Sequence, residues 1–275
     1  MIKPLVVVVV VAASCSKPPA AVTPQQPEPE HQHEHETPEP TSTKSAAFLF
    51  PQDGSTVFSD VDLALRVSGM NLKKAGEDPA DRGSGHHHVI IDSPSVPAGE
   101  PVPADDKHKH FDDGAARVSL RLAPGPHALE MQLADGEHRS FGPALAARIK
   151  VTVVPSPAKV GVSFVNLKDG AVVTSPVTLE LAVEGFTHRP VLAEGRGVDV
   201  LDKTGGHFHV IVDDIPVFVG TTIPDDGTHM RCAGNERELT VPLPPGPHTL
   251  TVQLADAAHA SYGPRLSSTI NVTAR

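Results

Sequence analysis

The octapeptides GHHHVIID at residues 85–92 and GHFHVIVD at 206–213 each carry a His-x-His pair. In an extended strand residues i and i+2 share a face, so His86 stands beside His88 and His207 beside His209. The residue between them, His87 or Phe208, faces the other way with Val89 and Ile91 or with Val210 and Val212. That second set is apolar, so the paired imidazoles point away from the main core. Two same-face imidazoles about 6–7 Å apart along a strand can converge on one ion at zinc–nitrogen distances of about 2.0–2.1 Å. A pair alone makes a weak site, so further ligands are needed.

Three more histidines recur in both halves: His108 with His229, His127 with His248, and His138 with His259. His108 and His229 lie in a polar loop after the first His strand. His138 and His259 end the loops LADGEH and LADAAH, where an imidazole is free to reach a neighbour. The expectation is that His86, His88, His108 and His138 converge in one copy, and His207, His209, His229 and His259 in the other. Neutral imidazoles suit Zn or Cu rather than Mg or Ca, which take oxygen. His110 is an addition of the first copy, replaced by Arg231 in the second. Met230 would add a thioether in the second copy and tilt it toward copper, and Cys232 would add a thiolate. His127 and His248 open Leu-rich strands and read as structural residues at the core edge. Asp92 and Asp213 lie about 13 Å along the strand from His88 and His209, and read as caps of the turns before Pro94 and Pro216.

Two competing readings use the same residues. In one, the histidines hydrogen-bond loops at one end of a purely structural or adhesive module, which holds no metal. In the other, a three-His zinc centre with an open position activates water as an enzyme would. No general base stands near the cluster in sequence, and there is no Ser or Cys nucleophile motif and no phosphate-binding Gly loop. The expectation is therefore a non-enzymatic protein. Clustered imidazoles repel one another when protonated, so stability is expected to fall on acidification.

The elements that position these residues come from a duplication. PGPHALEMQLADGEHRSFGP at 124–143 matches PGPHTLTVQLADAAHASYGP at 245–264, a shift of 121 that also carries Gly85 to Gly206 and His108 to His229. Upstream, the segments ending at Gly69 and Gly185 match with a shift of 116, so the second copy carries a longer loop between these blocks. Val61, Leu63, Leu65 and Val67 alternate with polar or small residues, and so do Val177, Leu179, Leu181 and Val183. Period-two alternation between Pro/Gly turns indicates antiparallel sheets with one buried face. The fold class expected is all-β, with two tandem immunoglobulin-like β-sandwich domains over 46–155 and 159–275.

Ahead of them, MIKPLVVVVVVAASC has one early Lys and a short apolar run, which suits a signal peptide over 1–15. Small residues before Cys15 resemble a bacterial lipobox, so Cys15 is the expected lipidation site and the membrane the expected partner. Ser16 favours the outer membrane of the cell envelope. Residues 16–45 are rich in Pro, Glu and Gln with few large apolar residues, and read as a disordered tether. His31, His33 and His35 within it read as a polar spacer or a mobile scavenging site. With Cys15 lipidated, Cys232 is the remaining cysteine, so no disulfide joins the domains. A formal net charge of −10 argues against nucleic acid as a partner.

The blocks GHHHVIID, HKHFDDG, LAPGPHALEMQLAD and EHRSFGP, with GHFHVIVD and LPPGPHTLTVQLADAAH in the second copy, resemble the bacterial domain of unknown function numbered 4399. The resemblance implies a small extracytoplasmic β domain, common in secreted or lipid-anchored proteins, and implies no particular activity. The family pattern has a second His after the LAD loop, where Phe141 and Tyr262 stand here. Arg231–Cys232 likewise replaces the His–Phe of HKHF.

Overall fold

The structure is a computed structural model that describes residues 44–111, 113–189, 200–232 and 236–275. The expected signal peptide, Cys15 and nearly all of the tether lie outside the described residues, as does most of the longer loop of the second copy.

The first repeat comprises β1 (Ser45–Phe50), β2 (Ser55–Phe58), β3 (Asp60–Ser68), β4 (Asn71–Leu72), β5 (Ser84–Ile91), β6 (His108–Phe111), β7 (Arg117–Arg121), β8 (Gly125–Ala134) and β9 (Ala146–Val154). One sheet runs β1-β3-β7; the other runs β2-β9-β8-β5-β4, with β6 also paired to β5. The second repeat comprises β10 (Gly161–Phe164), β11 (Ala171–Val173), β12 (Val177–Glu184), β13 (Thr187–His188), β14 (Gly205–Val212), β15 (His229–Arg231), β16 (Glu238–Val241), β17 (Gly246–Ala255) and β18 (Ser267–Ala274). Its sheets, β10-β12-β16 and β11-β18-β17-β14-β13 with β15 on β14, reproduce the first arrangement. The described residues contain no α-helix. The chain is all-β, two tandem immunoglobulin-like sandwiches.

The alternation explains the sandwich. Val61, Leu63 and Leu65 of β3 and Val118 and Leu120 of β7 meet Val89, Leu129, Met131, Ile149 and Val151 of the facing sheet. Each such fully buried side chain contributes about 1.5–3 kcal/mol. Val177, Leu179 and Leu181 meet Phe208, Val210, Leu250 and Val252 in the same way. His87 and Phe208 both face this interior, as the pleat predicts, and both are fully buried.

The opposite face of β5 and β14, which carries the paired histidines away from the main core, is itself covered. Between β5 and β6 the chain folds back, and Ile90, Val96, Val102 and Ala134 form a second small core. Gln132 clamps that segment, its Nε2 donating to the Val96 carbonyl at 2.8 Å and its Oε1 accepting from the Val96 N–H at 3.2 Å. Gln253 holds Val217 with the same two bonds, both at 2.8 Å. The His-bearing face is therefore buried beneath its own loop.

The two repeats are docked. Thr56 of β2 donates to the Leu201 carbonyl at 2.8 Å and accepts from the Lys203 N–H at 2.7 Å. The rings of Phe50 and Tyr262 meet edge to face at 5.8 Å, and those of Phe58 and Phe186 at 4.9 Å. Gly220 closes the contact: at φ +73°, a Cβ there would lie 2.8 Å from the Phe50 Cβ, so no larger residue fits. Residues Ser42–Arg275 form one compact unit.

Candidate metal centre

In the first repeat β5 presents His86 and His88, and the pairing of β5 with β6 sets His110 directly opposite His88. His138 enters from the turn that follows β8. The four imidazoles form one group: ring centroids lie 4.9 Å apart for His86–His88, 4.7 Å for His86–His110, 4.6 Å for His88–His110 and 4.5 Å for His110–His138. Nitrogens of His86, His110 and His138 all lie within 4.8 Å of one another, and Nε2 of His88 lies 3.0 Å from Nε2 of His86. In the second repeat His207 and His209 come from β14 and His259 from the turn after β17. Their nitrogens again fall within 4.8 Å of one another, with the two Nε2 atoms of the strand pair 2.9 Å apart.

A tetrahedral ion bound at about 2.0–2.1 Å separates its ligand nitrogens by about 3.3 Å. The observed pairs approach that spacing. Without an ion, two facing Nε2 atoms can share at most one proton. The Nδ1 atoms of His88, His207 and His209 are buried and find no hydrogen-bond partner among the described residues. Such orphans cost about 1–3 kcal/mol each. Burial, reinforced by His86, His110 and His138, pushes His88 down to about 2. Burial and the neighbouring imidazoles push His207 down to about 2, and burial with His259 and Arg231 pushes His209 down to about 3. His88, His207 and His209 are therefore uncharged at neutral pH, with lone pairs available to a cation.

The turns are built to aim His138 and His259. Both residues adopt left-handed backbone conformations, φ 63° and 61°, which non-glycine residues rarely take. Asp135 holds the first turn by accepting the N–H groups of Glu137 and Arg139, each at 2.9 Å, and it pairs with Arg82. Asp256 does the same for Ala258 at 2.8 Å and Ala260 at 2.9 Å, and pairs with the buried Lys203. Sequence reading passed over these two aspartates, although their place in the repeated LAD motif marks them.

His108 and His229, expected among the ligands, stand apart from both groups. They lie opposite Ile90 and Ile211, two residue pairs further along the strands than His88 and His209. His108 donates from Nδ1 to Asp105 at 2.7 Å, and Nδ1 of His229 lies 3.0 Å from both Asp226 and Thr228. The register of the β5–β6 hairpin, invisible without the structure, selects His110 instead. Met230 packs against the core, and Cys232 is buried within it, where desolvation pushes the thiol up to about 11. Neither sulfur joins the imidazoles, because both face the other side of the sheet.

His127 clasps Asp92 with Nδ1 at 2.6 Å and the Ala123 carbonyl with Nε2 at 2.8 Å. His248 repeats this with Asp213 at 2.7 Å and Pro244 at 2.8 Å. Asp92 and Asp213 also accept the N–H of Ala128 and Thr249, at 2.7 and 2.8 Å, so they tie neighbouring strands together rather than cap the proline turns. His188 was not anticipated; its ring stacks on Phe208 at 4.9 Å.

The family described as Domain of unknown function (DUF4399) matches residues 63–154 and 194–275. The chain belongs to this family. Each DUF4399 segment contains all the clustered imidazoles of its own repeat, and the first begins inside β3. No curated protein matches the chain. Among solved structures it is similar to the fibronectin(III)-like modules of Clostridium thermocellum CbhA, at 12% identity over 84% of this chain and 94% of that one, TM-score 0.30. It is also similar to a tetra-tandem repeat in the extending region of a large adhesion protein, at 11% identity over 85% and 49% of the two chains, TM-score 0.22. A third is the N-terminal four Ig domains of Dscam1, at 9% over 85% and 46%, TM-score 0.21. The chain spans about half the length of the latter two.

Proposed function

We propose that the protein is a non-enzymatic metal binder of the cell envelope, anchored in the outer membrane by a lipid on Cys15. It holds a Zn or Cu ion in each sandwich. The ligands are His86, His88, His110 and His138 in the first repeat, and His207, His209 and His259 in the second. The observation that carries this reading is the twice-repeated convergence of three imidazoles whose nitrogens lie within 4.8 Å of one another, His86, His110 and His138 in one repeat and His207, His209 and His259 in the other. Within each strand pair the facing Nε2 atoms, 3.0 Å apart in the first repeat and 2.9 Å in the second, hold at most one proton between them, and they already lie near the spacing of two nitrogens on one ion. His86, His110 and His138 bring three nitrogens together, and His88, stacked on His110, would complete a four-imidazole shell by turning its ring toward them. A shell closed in this way leaves no position for a substrate, which suits storage, delivery or structure better than catalysis.

The test is titration of the full chain with Zn(II), Cu(II) and Cu(I), with His31, His33 and His35 changed to Ala so that the tether does not compete. Tight binding of two equivalents is expected, lost when His86, His88, His207 and His209 are also changed to Ala. Binding that survives those changes would mean other ligands. Absence of tight binding would leave a structural module.

A further inference from the structure

The two imidazole groups differ at one position. Where β6 sets His110 opposite His88, β15 sets Arg231 opposite His209. In the first repeat the His110 ring stacks on His88 at 4.6 Å, nearly parallel. In the second the same place carries a guanidinium, 42% exposed, whose Nε is held by Asp225 at 3.1 Å. Directly opposed residues of an antiparallel pair share a face, so Arg231 projects from the same side of the sheet as His209 and His207.

Arginine has no lone pair to give, because guanidinium is a donor only. It also repels a bare divalent ion. An anion resolves both problems: one oxygen or nitrogen donates to the metal while the anion accepts N–H bonds from the guanidinium, a charge-assisted arrangement. We propose that the second repeat is a ternary site, in which a transition metal on His207, His209 and His259 takes a small carboxylate-type anion as its fourth ligand against Arg231, while His110 closes the first repeat to such ligands. This rests on the metal-binding reading above. Binding of the metal and of the anion to the second repeat are then coupled, each strengthening the other by the same factor.

Cobalt(II) is the probe, because its visible absorption reports ligand changes at a tetrahedral centre. The full chain, with the three tether histidines changed to Ala, is loaded with Co(II) and titrated with azide and with acetate. Two bound Co(II) ions are expected, with the spectrum of one of them shifted by either anion. In Arg231→His the anion response disappears, both ions remain, and the weaker of the two sites tightens at least tenfold in anion-free buffer. In His110→Arg both ions respond. Two bound ions that ignore azide, or an Arg231→His chain that responds as the parent does, would overturn the ternary site while leaving the metal reading intact. Cobalt held by the first repeat alone, with or without azide, does the same. No bound cobalt at all overturns the metal reading itself.

Discussion

His138 and His259 carry the tension between stability and function at the level of single residues. Each holds a left-handed backbone conformation, at φ 63° and 61°, and such positions cost about 1–3 kcal/mol in a non-glycine residue. Glycine takes this conformation without strain. His138→Gly is therefore expected to leave the metal-free protein as stable as the parent or up to about 1 kcal/mol more stable, by denaturant titration, while the first repeat loses its metal. A structural histidine would behave oppositely, with stability falling. The supporting carboxylate gives a second expectation at this scale. Asp135→Asn weakens the grip on the turn, and metal affinity of the first repeat should fall about 10–100-fold in competitive titration, as for other groups that orient ligands.

At the scale of the elements, β5 and β14 are buried on both faces, one against the sandwich core and one beneath the folded-back loop. The alternation that fixes which side chains share a face was legible in the letters: His87 and Phe208 went inward, the paired histidines outward. That the outward face would be covered was not, because the cover depends on Gln132 reaching Val96 and Gln253 reaching Val217, residues 36 apart in sequence. Strand register was equally hidden, and it decided for His110 over His108 and turned Met230 and Cys232 to the core. Burial of the His face has a pH consequence. The native values of His88, His207 and His209 sit at about 2 to 3, against 6.5 for a free imidazole. Between these limits the unfolded chain takes up protons that the native chain refuses. Stability is therefore full above about pH 6.5 and declines as pH falls, by about 1 kcal/mol per pH unit for each such histidine. In the presence of a chelator, the melting temperature should drop steadily from pH 7 to pH 5; a flat profile would contradict the buried neutral assignment.

Across the whole molecule, the repeats act as one body through the Thr56 backbone bonds and the aromatic contacts around Phe50 and Tyr262. Lys203 lies at this junction, buried with Asp256, and its Nζ is 5.4 Å from the Phe50 ring centroid. Asp256→Asn leaves that ammonium buried and unpaired, so a loss of about 3–5 kcal/mol is expected in chemical denaturation. The double change Asp256→Asn with Lys203→Met removes both charges, keeps an Oδ1 for the N–H groups of Ala258 and Ala260, and should recover most of it. Unfolding followed by probes in each sandwich should coincide in one transition. The most direct test of the central claim is X-ray absorption at the zinc edge of the loaded full chain, with His31, His33 and His35 changed to Ala. The expected first shell is three to four imidazole nitrogens at about 2.0–2.1 Å, without sulfur. An oxygen-only shell, a sulfur scatterer near about 2.3 Å, or a chain that keeps no zinc through gel filtration would contradict it.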